Sequence, residues 1–289
     1  MKVLLATDGS DDARVAATWL TESPLFQDAT VMILTVAVLP EPYVEVQTLG
    51  TLRDSILNDA RRVGEEAQKL LAPRWPDAEV RVSEGDPREE IVRVAEKGQA
   101  DLIVVGARGL GAVRGLFLGS VALAVARHAS CAVLVVKGRR DRKSAVLAMD
   151  GSEDSFRALR FFASLAEGRR LKVQLVGVLE QLRFPSSAPR VLRARLRAEL
   201  AELRRERRAQ MAKVLERAAA ELEGKVAAIA RSIPEGVPSE EIVGAADQQR
   251  AGLIVLGARG FGPVKRLLLG SVSEKVLRSA RCGVLIVKR

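Results

Sequence analysis

Short runs of Val, Ile and Leu, uninterrupted by polar residues, recur along the chain between longer stretches of mixed polarity. In the first half they read as strands at 2–7, 30–38, 78–83, 101–106 and 132–137. A strand such as "LIVV" or "VLVV" has no polar face, so it belongs to a parallel sheet covered on both sides by helices. Helix starts fall between these runs. Ser10 follows the first strand, Asp86-Pro87-Arg88-Glu89 supplies an N-cap, a proline for the first helical position and a capping-box glutamate, and Ser120 opens a third helix. Strand and helix alternate, which predicts an open, doubly wound α/β sheet.

The same order of landmarks then returns. "VLLATDGSDDA" at 3–13 reappears as "AVLAMDGSEDS" at 145–155, "SEGDPREEIV" as "IPEGVPSEEIV", and "CAVLVVK" as "CGVLIVK". The chain is therefore one unit used twice. Residues 1–138 and 144–289 are read as two domains joined by the polar segment "GRRDRK", each with a mainly parallel, doubly wound five-stranded sheet of Rossmann-like form. Asp8 and Asp150 are 142 residues apart, whereas Gly106 and Gly257 are 151 apart. The second copy has thus gained nine residues, around its Arg-rich middle.

Composition narrows the chemistry. With 48% hydrophobic and 28% charged residues the chain reads as a globular protein, and no stretch reaches the ~18 apolar residues of a membrane span. The first residues lack a signal-peptide core, because Asp8 interrupts them, so the expected location is the cytoplasm. Cys131 and Cys282 occupy the same place in each copy and read as small buried hydrophobes, not as a disulfide or zinc site. His128 is the one histidine, which removes most Ser-His and Cys-His hydrolase schemes. The net charge of +10 lies in the second half: residues 1–140 carry −2 and residues 141–289 carry +12.

The candidate site is a loop carried twice, "GARGLGAVRGLFLGS" from Gly106 and "GARGFGPVKRLLLGS" from Gly257. In open α/β sheets ligands bind outside the carboxyl ends of the strands, where this loop and Asp8 both begin. Its glycines let backbone N–H groups approach an anion, and Gly-Ser then supplies a hydroxyl and a fresh helix N-terminus. Arg108 and Arg114 in the first copy, and Arg259, Lys265 and Arg266 in the second, are nearby cations. It is neither a P-loop, since no Lys follows the last glycine, nor the dinucleotide fingerprint, which follows the first strand.

The spacing Gly, two residues, Gly, nine residues, Gly-Ser, with an Asp ending the first strand and a final "VLVV" strand, resembles the ATP-binding branch of the universal stress proteins in a tandem arrangement. The resemblance covers nearly the whole chain. It implies that Asp8 and Val36, with Thr7 beside them, contact the adenosine end of ATP. Gly106, Arg108 and Gly109 would line the ribose and phosphates, and Gly119, Ser120 and Val121 would hold the phosphates. The matching second-copy residues are Asp150, Val178, Gly257, Arg259, Gly260, Gly270, Ser271 and Val272. Mg can accompany the phosphates. It further implies that strands 132–137 and 283–288 pair within the chain, so that a tandem protein carries its own dimer partner. Whether chains assemble further is left open. In the second copy Asp101 becomes Gly252, Asp86 becomes Val237, and Pro263 replaces Ala112.

The stretch from Arg190 to Leu222 lacks Gly and Pro and predicts one long amphipathic helix along Leu192, Leu196, Leu200, Leu203, Met211, Val214 and Leu215. Interleaved glutamates and absent aromatics weigh against nucleic acid as its partner. Three functions follow. The leading one is a non-enzymatic ATP-binding regulatory protein of the stress response, with one site per domain. The second is a slow ATPase or phosphotransferase, which the loop disfavours by offering no Glu, His or Gln to activate a nucleophile. The third is a scaffold without ligands, against which the repeated glycines count.

Overall fold

The computed structural model describes residues 1–39, 48–111, 118–138, 140–181, 190–260 and 269–288, the side chains of 48–50 and 190–198 excepted. In the first half the chain runs β1 (Lys2–Ala6), α1 (Asp11–Glu22), β2 (Thr30–Ala37), α2 (Thr48–Leu71), β3 (Glu79–Glu84), α3 (Pro87–Lys97), β4 (Leu102–Gly106), α4 (Ser120–His128) and β5 (Ala132–Val136). The apolar runs form the strands for the expected reason: Val3–Leu5, Leu102–Val105 and all of β5 are buried on both faces. Ser10 caps α1 by accepting from Ala13 N, and Asp86 caps α3 by accepting from Arg88 N.

The second half repeats this with β6 (Asp141–Ala148), α5 (Glu153–Ala166), β7 (Lys172–Val176), α6 (Arg190–Leu222), β9 (Ala228–Ser232), α7 (Pro238–Gln248), β11 (Ala251–Gly257), α8 (Ser271–Ser279) and β12 (Gly283–Val287). Two short strands, β8 (Leu179–Glu180) and β10 (Glu235–Gly236), pair beside the main sheet. Val237 stands at the N-cap of α7 and supplies no side-chain cap, as the loss of the Asp predicts. The nine-residue gain is the difference between the 24-residue α2 and the 33-residue α6.

The two five-stranded sheets are not separate. They join into one ten-stranded sheet of order β3-β2-β1-β4-β5-β12-β11-β6-β7-β9, parallel within each half and antiparallel at the joint. There Val133, Leu134 and Val135 face Ile286, Leu285 and Val284, all buried. Two edges that would each invite aggregation thereby cover one another. The joint is reinforced reciprocally: Lys137 Nζ donates to Leu277 O and Ala280 O at the end of α8, and Lys288 Nζ donates to Arg127 O and Ala129 O at the end of α4. An ammonium at a helix C-terminus meets its exposed carbonyls. Burial nevertheless pushes both lysines down to about 8. The Arg127–Glu274 ion pair, 2.8 Å, closes the rim.

Two expectations need correction. Asp141–Lys143, read as linker, already belong to β6, because Asp141 pairs with Ala251 across an irregularity at Gly252. A Cβ at Gly252 would lie 2.1 Å from Asp141 O, so the Asp of the first copy cannot stand there. Among the described side chains, the long helix is fully buried at Leu215, Ala218 and Leu222 in its last turns; Leu200, Met211 and Val214 are half-buried, Leu203 is exposed, and the side chains of Leu192 and Leu196 lie outside the described residues. The cysteines pack as hydrophobes: Cys282 is buried, Cys131 half-buried, and burial pushes both thiols up to about 11.

Candidate functional site

The carboxyl ends of β1, β2 and β4 open onto a cavity of about 480 Å³. All nine first-copy residues singled out in the sequence line it: Thr7, Asp8, Val36, Gly106, Arg108, Gly109, Gly119, Ser120 and Val121. Topology brings them together, since β1 lies between β2 and β4, where the order of strand addition switches from one side of β1 to the other. Ser120 is the first residue of α4, Gly119 is its cap without a side chain, and Gly119 N donates to Ala107 O at 2.7 Å. The first turn of α4 therefore points its free N–H groups toward the cavity.

Asp8 organises the loop. One carboxylate oxygen accepts from Ser10 N at 3.0 Å and the other from Leu110 N at 2.9 Å, while the side chain stays exposed to the cavity mouth. Arg108 is held by Asp12 through two hydrogen bonds of 2.9 and 3.2 Å, which raises its pKa above the ordinary arginine value. It stands at the rim, half exposed and already paired.

Two glycines have a different cause from the one the sequence suggested. A Cβ on Gly106 would lie 2.6 Å from Asp12 C and 2.7 Å from Ala13 N, so this glycine admits the first turn of α1 against β4. A Cβ on Gly109 would lie 2.4 Å from Asp8 Oδ2. The protein's own packing requires both, and their presence no longer counts against a scaffold. Gly119 is looser, its nearest neighbour Ala107 O at 3.2 Å.

The second copy assembles the same frame. Asp150 accepts from Ser152 N at 2.9 Å, Gly257 admits Asp154 and Ser155 of α5, Gly260 abuts Asp150, and Gly270 N donates to Ala258 O at 2.8 Å. Arg259 bonds Asp154 at 3.1 Å. Ser271 starts α8, and Val178 and Val272 pack half-buried beside the core. Arg114, Lys265, Arg266, Ala112 and Pro263 lie outside the described residues.

A family model described as the universal stress protein family matches residues 1–137 and again 142–288. The chain belongs to the universal stress protein family. A universal stress protein from Mycolicibacterium smegmatis is 26% identical over 99% of this chain and 96% of its own length. A universal stress protein from Thermus aquaticus is 38% identical over 47% of this chain and 97% of its own length, matching one unit. Among solved structures, a universal stress protein from Archaeoglobus fulgidus shares the fold with a TM-score of 0.64 at 20% identity, covering 100% of this chain and 98% of that one.

Sequence reasoning missed one wall of the cavity. Ile56, Asp59, Ala60 and Val63 from α2, and Thr35 from β2, complete it. No motif marks them; the signal was the pair Ala60 and Gly64, small residues spaced one turn apart on the helix face that meets the sheet. Thr35 is 2% exposed and its Oγ1 has no hydrogen-bond partner.

Proposed function

We propose that this universal stress protein binds ATP in the cavity of its first domain and that occupancy changes the surface it offers to partners in a stress response. The observation that carries this reading is the convergence of the β1 aspartate, the Gly-Ser turn and the α4 N-terminus on one cavity of about 480 Å³, within the ~300–1,000 Å³ range of small-ligand sites. Such a pocket suits a nucleotide: apolar walls from Val36, Ile56 and Val63 for a base, and helix N–H groups with the Ser120 hydroxyl for phosphates. Mg would ride chiefly on the phosphates it accompanies.

We read the protein as a binder and not an enzyme. The ionisable residues described along the cavity are Asp8, Asp59 and Arg108; Asp8 holds the loop, Arg108 holds Asp12, and Asp59 accepts from Arg62. A hydrolase would need a group free to orient water at the outermost phosphate.

Displacement of a fluorescent ATP analogue tests the reading. Ser120→Ala should weaken binding about tenfold, the worth of one lost hydrogen bond, and Gly119→Val about a hundredfold, because its side chain would press on Ala107 O and Arg108 Cα and shift the loop that faces the α4 N-terminus. Ser120 is exposed and caps nothing, so Ser120→Ala should leave the melting temperature unchanged. Wild-type affinity in both variants would remove the phosphate assignment.

A further inference from the structure

The two domains differ where the base of a nucleotide would sit. Their residues can be equated through matching hydrogen bonds: Thr7 N donates to Leu34 O in the first, and Met149 N to Val176 O in the second. α2 and α6 are equated through their buried ends, Ala67 and Leu71 against Ala218 and Leu222. On this footing Thr7 corresponds to Met149, Thr35 to Gly177, Ala60 to Met211 and Gly64 to Leu215.

In the first domain these positions leave space. Thr7, Thr35 and Ala60 line the cavity, and the buried Thr35 hydroxyl is without a protein partner, an arrangement that a ligand or water must relieve. In the second domain both hydroxyls are gone and two long apolar side chains enter from α6. A Cβ placed on Gly177 would lie 2.3 Å from Met211 Sδ, 2.6 Å from Met211 Cγ and 3.4 Å from Leu215 Cδ2. The Met211 thioether thus lies against the backbone just past β7, where Thr35 carries its side chain in the first domain. Met149 is 3% exposed and part of the same core, which Met211 and Leu215 extend. Against the loss of Thr35, the second domain has gained the longer chains of Met149, Met211 and Leu215, so the exchange fills more than it vacates.

We propose that Met211 closes the base end of the second cleft, so that the chain binds one nucleotide, in the first domain, and keeps the second domain as a structural partner. This rests on the nucleotide reading above and departs from the one-site-per-domain expectation of the sequence. A methionine suits the role because its unbranched thioether moulds to an irregular gap.

Equilibrium dialysis with radiolabelled ATP and Mg on the full chain, with circular dichroism to confirm folding, tests it. Wild type should bind one ATP, Met211→Ala a second one, and Ala60→Met none, the last importing the plug into the open cleft. Ala60→Met also guards against misfolding of Met211→Ala, since it alters the other domain. Two sites of equal affinity in wild type, one site in folded Met211→Ala, or one site surviving Ala60→Met would each overturn the plug and leave the nucleotide reading standing. No binding by any of the three would overturn that reading, and this proposal with it.

Discussion

Gly106→Val is expected to cost the first domain about 3 kcal/mol or more of folding stability, before any ligand is considered. The added Cβ would fall 2.6 Å from Asp12 C, 2.7 Å from Ala13 N and 2.8 Å from Asp12 O. All three are backbone atoms of the first turn of α1, which a rotamer change cannot move. The helix would have to lift from β4, loosening the bond from Ser10 Oγ to Arg108 O and the Arg108–Asp12 pair. Gly111→Ala is the control, because no described residue lies within 4 Å of its added Cβ, and it should change stability by no more than about 0.5 kcal/mol. Urea denaturation of the two variants beside wild type measures the difference. Equal midpoints would mean that α1 does not approach β4 as described.

Leu285→Asp should have the second large effect, separating the two halves of the sheet. Leu285 faces Leu134 across the antiparallel joint, and neither has any exposed surface. An unpaired carboxylate there cannot be solvated, so the expected loss exceeds about 4 kcal/mol, while Leu285→Ala, which only leaves a cavity, should cost about 3 kcal/mol. Separation would also uncover β5 and β12 as apolar edges. The expected readout is faster proteolysis between the domains and concentration-dependent assembly on size-exclusion chromatography. A Leu285→Asp protein that elutes and melts like wild type would show that the joint is not the principal bond between the halves.

Much of this was legible in the sequence because it depends on local pattern. Doubly buried strands must be apolar throughout, so "LIVV" and "VLVV" announce a parallel sheet, and its topology then forces Asp8 and the Gly106 loop to one edge. The pairing of the last strands was reached through family resemblance, as no residue of "AVLVV" states its neighbour. The reason for Gly106 was not legible: a glycine that admits a helix and one that admits a phosphate look alike in one dimension. Nor was the α2 wall, since Thr35 and Ala60 come together only when the helix packs on the sheet. The Arg-rich stretch was read correctly as a helix from its composition. Its amphipathic stripe was overextended at Leu203, which is exposed, because a leucine at helical spacing buries only where a partner reaches it.

The central claim, one nucleotide site in the first domain, is tested most directly by calorimetric titration of ATP, with and without Mg, into wild-type protein stripped of bound nucleotide. The account predicts saturable binding of one ATP per chain below millimolar concentration, with a rise in melting temperature as the ligand stabilises the folded state. No heat and no shift in melting temperature would contradict it, and the cavity would then be a feature of packing alone.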